Sequence, residues 1–184
     1  MIQFSRFPGG AILAPSLLAA IFFVSSARAD DIFVDRTASG NNDGNSWKDA
    51  FVALQDALAA ASSGDTIHIA EGPHYPDEGA GITNNDPDST FSIPPGVDLQ
   101  GGYSLGGADF NPGLYVTILS GDIDGDDDDF DGDFTANIPA DVKGTNAYHV
   151  VTVETAGASR SLLNLTITAG SAKGAGTNGT LGGG

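Results

Sequence analysis

The chain has no cysteine, one methionine, one tryptophan, and seven Lys and Arg residues against 24 Asp and Glu. Lack of cysteine excludes disulfides, thiolate metal centres and a lipidated-cysteine anchor, so an exported domain would rely on packing and any bound cation. Scarcity of basic residues removes the positive surface that nucleic acid or anionic lipid needs. Long apolar runs are also few. The longest, Ala11 to Val24, is short for a span and interrupted by Pro15, which argues against a permanent membrane anchor. With the charged MIQFSR before it and Ala27-Arg28-Ala29 after it, residues 1–29 are expected to be a secretory signal peptide. The remaining 30–184 keeps all 24 acidic residues but only Arg36, Lys48, Lys143, Arg160 and Lys173, a net charge of −19. No transmembrane helix is expected in it. Its partners are then cations, basic surfaces or neutral ligands such as glycans.

What is present is glycine, 26 residues of it, and a recurring phrase in which an apolar strand runs into a glycine turn. The phrase occurs as VDLQGGY from Val97, VTILSGD from Val116 and LLNLTITAGSA from Leu162. One such strand has a single apolar face and two unpaired edges, so the units are expected to stack as parallel strands in an all-β solenoid. A β-sandwich is the structural alternative. Strands are predicted at Ile32–Asp35, Thr66–Ala70, Thr90–Ile93, Val97–Gln100, Val116–Ser120, Tyr148–Val153 and Leu162–Thr168. Between the first two, Trp47, Ala50, Phe51, Leu54, Ala57, Leu58 and Ala61 recur at three- and four-residue steps. That spacing predicts an amphipathic helix over Trp47–Ala61, started by Asn45 or Ser46 and ended before Gly64, that caps the open end of the stack.

The densest chemistry lies in an acidic insertion over 121–134, where Asp122, Asp124, Asp126, Asp127, Asp128, Asp129, Asp131 and Asp133 fall within twelve positions. Each close like-charged pair costs about 1 kcal/mol even at the dielectric of water, so the segment either stays solvated or collects a cation. Alternating aspartates with a glycine to turn the chain suit Ca2+, a hard cation that takes oxygen ligands. Asp122, Asp124, Asp126, Asp129, Asp131 and Asp133 are the candidate calcium ligands. Neither half completes an EF-hand, since the glycine of the first is out of place and the twelfth position of the second is Ile138. A solvated acidic loop is the alternative.

No catalytic or cofactor-binding residue is assigned. Arg160, outward His68 and outward Asp98 are unconnected by any catalytic phrase, and His68, His74 and His149 come from separate segments without zinc spacing. Tyr75, Tyr103, Tyr115 and Trp47 are the side chains suited to stack on sugars, but Trp47 is assigned to the helix and the tyrosines lie near turns. TAGSAKGAGTNGTLGGG lacks the strand–helix setting of a phosphate loop.

The order of several phrases resembles the N-terminal part of bacterial secreted right-handed parallel β-helix proteins of the pectate-lyase-like superfamily. Those phrases are IFVD, GNNDGNSWKDAFVALQDALAAASSGDTIHIAEG, FSIPPGVDLQGGYSLG, TILSGDIDGDD, and YHVV followed by LLNLTITAGSA. The chain is also loosely similar to polymorphic outer-membrane protein repeats. The resemblance implies a right-handed parallel β-helix over 30–184, with NLTITAGSA normally leading to a further coil, so the ending LGGG is expected to mark a truncation. It further implies a secreted or cell-surface, outer-membrane-associated protein with a structural, adhesive or glycan-binding role toward extracellular polysaccharide. A polysaccharide lyase or glycoside hydrolase is the alternative.

Overall fold

The computed structural model describes residues 28–154 and 158–171. The expected signal peptide, save its last two residues, and the glycine-rich end that suggested truncation lie outside the described residues. Nine strands, one helix and a 3-10 turn follow in the order β1 (Asp31–Val34), α1 (Leu54–Ala60), β2 (Thr66–Ala70), β3 (Gly72–His74), β4 (Phe91–Ile93), β5 (Asp98–Tyr103), the turn Leu105–Gly107, β6 (Thr117–Ser120), β7 (Val151–Val153), β8 (Leu162–Leu163) and β9 (Leu165–Thr168). All ladders between these strands are parallel. A four-stranded sheet has the order β1-β2-β5-β8, a three-stranded sheet β3-β6-β9 and a two-stranded sheet β4-β7.

Alternation decides which way each strand faces. Val34, Ile67, Ile69, Val97 and Leu99 turn inward and are fully buried, with Leu119, Phe91 and Ile93 from the other two sheets. Complete burial of one such side chain stabilises by about 1.5–3 kcal/mol, so this shared interior is the main cohesive term. α1 adds Leu54, Ala57 and Leu58 to it.

The chain passes from the four-stranded to the three-stranded sheet at residues with left-handed backbone. Gly72, the first residue of β3, has φ 99°, and Asn164 has φ 56° between β8 and β9. The single strand predicted over Leu162–Thr168 is therefore two strands in two sheets, Leu162 pairing with Leu99 and Leu165 with Thr117. Asparagine tolerates this conformation because its short polar side chain satisfies the local backbone.

The expectation of an all-β right-handed parallel β-helix capped by a helix from Trp47 to Ala61 is corrected by this architecture. The described residues form three short parallel sheets of four, three and two strands with a single helix, and no closed barrel or solenoid is found among them. Unequal sheets follow from the insertions: residues 75–90 and 121–150 contain no strand, so successive units do not repeat at a constant length.

The helix is shortened by a specific competitor. Phe51 donates from its backbone to the Phe33 carbonyl at 2.9 Å and accepts from Asp35 N–H at 2.9 Å, bridging in parallel to the edge of β1. A residue paired in this way cannot also propagate a helical ladder, and α1 begins only at Leu54. Upstream, Asp49 ties the loop by accepting from Asn41 N–H at 2.9 Å and from the Ser46 hydroxyl at 3.1 Å. The edge of β1 is thus covered by a loop and a seven-residue helix together.

Candidate functional sites: an aromatic face and an acidic loop

The outward side of the four-stranded sheet carries Phe33, His68 and Gln100 at one register position, because Phe33 pairs with His68 and His68 with Gln100. Leu163 pairs with Gln100 and extends the row onto β8. The Phe33 and His68 rings are nearly parallel, 24° apart with centroids at 5.4 Å. Beside this row Trp47 packs on Phe33 at 4.9 Å and on Tyr103 at 5.1 Å, and Phe110 packs on Tyr103 at 4.8 Å.

Trp47 therefore lies on the outer face and not in the helix, a correction with a clear cause: the loop that replaces the first helical turns folds back over β1. Gly107, at φ 67°, seals the contact, since a Cβ there would run into the indole ring. Phe110 remains half exposed. The polar edges of the stack are tied to one another. His68 Nδ1 lies 2.9 Å from the Tyr103 hydroxyl and Nε2 lies 2.8 Å from Asp31 Oδ1. Burial, followed by the nearby Asp31 carboxylate, raises the Tyr103 phenol above its ordinary pKa, so it stays protonated. Apart from the Phe33–His68 pair, the rings of this cluster are tilted 48–90° to one another, and Phe110 is its half-exposed member.

Asp98 holds Ser161 N–H at 2.6 Å. Arg160 donates from Nη1 to the Glu154 carbonyl at 2.6 Å, while its Nε and Nη2 are buried with no partner among the described residues. His74 is sealed in β3 with Nε2 3.2 Å from the Ala70 carbonyl, and burial pushes its pKa down to about 4. His149 is exposed elsewhere, so the three histidines do not form a cluster. Tyr75 and Tyr115 take no part in the aromatic stack.

In the acidic segment the six candidate ligands fall into two groups, Asp122, Asp124, Asp126 and Asp129, Asp131, Asp133, each able to bring three carboxylate oxygens within 4.8 Å of one another. Both groups are the same turn. Asp122 Oδ1 accepts from Gly125 N–H at 2.9 Å and Asp126 N–H at 3.1 Å, and Asp129 Oδ1 accepts from Gly132 N–H at 2.8 Å and Asp133 N–H at 3.1 Å. Gly125 and Gly132 have φ of 71° and 79°. The unit is Asp-x-Asp-Gly-Asp, repeated after seven residues, a direct repeat visible in the sequence that a comparison with EF-hand spacing hides.

Their surroundings differ. The first turn is tied to the returning chain: Asp124 Oδ2 accepts from Thr145 N–H at 2.8 Å, Asp127 accepts from Lys143 N–H at 2.5 Å and Asn146 Nδ2 at 2.9 Å, and Lys143 Nζ pairs with Asp128. Gly144 lies so close to Asp124 and Asp126 that a Cβ would strike their carboxylates. Burial, reinforced by Asp127, raises the Asp122 pKa, and desolvation followed by Asp124 raises that of Asp126. The second turn is bound mainly to itself, and the Thr135 hydroxyl lowers the Asp133 pKa.

No helix among the described residues is long and apolar enough to cross a membrane. No family model, curated protein or solved structure matches the chain.

Proposed function

We propose that the chain is an exported, cell-surface protein with a structural or adhesive role, which holds extracellular polysaccharide passively and whose acidic turns are stiffened by calcium. The observation that carries this reading is the outward aromatic stack. It offers partly exposed aromatic rings, with Phe110 half exposed, held in place by an imidazole tied through both nitrogens to Asp31 and Tyr103. The resemblance to secreted pectate-lyase-like proteins and the leader-like residues 1–29 support export, and the net charge of −19 on residues 30–184 suits a dispersed extracellular protein.

The direct test is expression of the full chain in a bacterium, followed by cell fractionation, N-terminal sequencing and binding to a panel of insoluble polysaccharides. Release with Asp30 as the new first residue and retention on a polysaccharide are expected. A chain that stays in the cytoplasm, or is retained by no polysaccharide, overturns the reading. Release of unsaturated or reducing ends from the same panel would replace it with the lyase or hydrolase alternative.

Calcium enters through the two aspartate turns. Ligand that binds only the folded state stabilises it by RT ln(1 + [L]/Kd), so millimolar Ca2+ acting on a site of submillimolar affinity raises the melting temperature measurably. A melting curve unchanged by millimolar Ca2+ removes this part of the proposal and leaves the rest standing.

A further inference from the structure

Asp65 is 5% exposed and sits immediately before β2, in the connection from α1. Its backbone is fixed on both sides: the N–H donates to the Ser62 carbonyl at 3.0 Å, and the carbonyl accepts from Asp98 N–H at 2.9 Å. The side chain takes two backbone donors, Ser62 N–H at 2.7 Å on Oδ2 and Asp30 N–H at 3.0 Å on Oδ1. No cation pairs with it among the described residues, whose ion pairs are His68 with Asp31 and Lys143 with Asp128. A buried carboxylate served only by neutral donors is destabilising until a positive group meets it.

The donor at Oδ1 is the one nitrogen that leader removal would change. Residues 1–29 read as a signal peptide ending at Ala29, so its cleavage converts the Asp30 amide into a free amine. We infer that the ammonium so produced pairs with Asp65, and that leader removal thereby locks β1 onto β2. The inference rests on the proposed export. Nothing has to move to form the pair. The Asp30 carbonyl already accepts from Thr66 N–H at 3.0 Å at the head of the β1–β2 ladder, and its nitrogen already lies at hydrogen-bond distance from Oδ1. An α-amine, with an ordinary pKa of about 8, is charged at neutral pH, and a hydrogen bond between ionised groups is about twice as strong as a neutral one.

The surroundings favour the charge. A hollow of about 510 Å3 beside β1 is lined by Asp30, Asp31, Asp43 and Asp65, and its one basic lining residue among the described residues is Arg28, which leaves with the leader. Every carboxylate facing the nitrogen, from β1, from the loop after it and from the connection before β2, thus holds the proton on the amine, with His68 tied to Asp31. Pairing raises the amine's pKa above its unfolded value of about 8, so the stabilisation is complete below that pH and is lost as pH rises through the folded value. The leader-bearing chain lacks this charge and gains it only once the leader is gone.

The experiment sequences the N-terminus of the exported chain and compares its urea unfolding with that of the same chain acetylated at the α-amine in mild acid, where the lysines stay protonated. Asp30 is expected as the first residue. At pH 7 the free chain is expected to have an unfolding constant smaller by about tenfold, as a tenfold tighter hold on the proton implies, and the difference is expected to vanish by about pH 11. Asp65→Asn is expected to remove the difference at pH 7; if that variant does not fold, the pH dependence of the free and acetylated wild-type chains decides. Free and acetylated chains of equal stability at pH 7, or a difference that persists at about pH 11, overturn the lock and leave export standing. An exported chain that begins elsewhere overturns the lock alone, and an uncleaved chain kept in the cytoplasm overturns both.

Discussion

Thr117 carries the strongest stability prediction, because one buried hydroxyl joins three strands. The residue is fully buried in β6, its Oγ1 accepts from Gly102 N–H of β5 at 3.0 Å, and it donates toward the Ile69 and Ala70 carbonyls of β2, each at 3.2 Å. Gly101 packs so tightly there that a Cβ would approach within 2.7 Å of the hydroxyl oxygen, leaving no room for water to replace it. Thr117→Val keeps shape and volume but leaves the Gly102 N–H without a partner, a cost of about 1–3 kcal/mol. Thr117→Ser keeps the hydroxyl and loses one methyl, a cost of about 1 kcal/mol. With a urea dependence of roughly 1–3 kcal/mol per molar, a 2 kcal/mol loss moves the midpoint by about 1 M. Urea unfolding followed by circular dichroism should rank wild type above Ser and Ser above Val. A Val variant as stable as wild type, or less damaging than Ser, would refute the claim that this hydroxyl holds the junction.

Three further outcomes follow from the same geometry. His74, held neutral by burial with its pKa pushed down to about 4 from an unperturbed value near 6.5, takes up its proton more readily when unfolded; its contribution is complete above pH 6.5 and falls as pH drops toward 4, by about 3 kcal/mol, so His74→Gln should flatten that part of the stability–pH curve, and an unchanged slope would contradict it. Gly107→Ala forces a side chain into left-handed backbone, about 1–2 kcal/mol, and into the Trp47 ring, so both a lower melting temperature and a red-shifted indole emission are expected; an unaltered spectrum would place the ring elsewhere. Asp126, whose pKa is raised by desolvation and by Asp124, is easier to protonate when folded, so its penalty is present at neutral pH and relieved as pH falls; Asp126→Asn should raise the calcium-free melting temperature at pH 7 and reduce the gain from calcium to that of the second turn, and a variant that melts lower would refute the penalty.

Alternation along Thr66–Ala70 and in the Val97 phrase was legible because period-two burial needs only local pattern, and β2 and β5 lie there; β6 lies in the Val116 phrase but is buried on both faces. Burial of Leu54, Ala57 and Leu58 was equally legible. Trp47 was misplaced because helical periodicity records which residues bury, whereas the pairing of Phe51 with the edge of β1 is a long-range backbone contact that leaves no periodic mark. β3 was hidden by its glycine and proline, which read as loop until the parallel pairing of Gly72 with Thr117 supplies the strand. Closure was overestimated for a related reason: similar phrases signal parallel stacking, but the lengths between them set whether the sheets match, and the 121–134 insertion breaks that match. At the acidic loop the residue types were plain, and the repeated Asp-x-Asp-Gly-Asp unit, though visible in the sequence, was hidden by comparison with EF-hand spacing. The aromatic face was missed because its members, Phe33, Trp47, His68, Tyr103 and Phe110, come from five separate segments and meet only through parallel register and loop fold-back.

The central claim is that extracellular polysaccharide is held at the aromatic outer face of the four-stranded sheet, and the chain's single tryptophan stands in that face. Titrating the protein with a neutral β-1,4-linked oligosaccharide while following indole emission tests it most directly. A saturable change in Trp47 emission, lost in Gln100→Ala, is the predicted result. Emission that stays constant at saturating neutral oligosaccharide, or that responds equally in the variant, would contradict it.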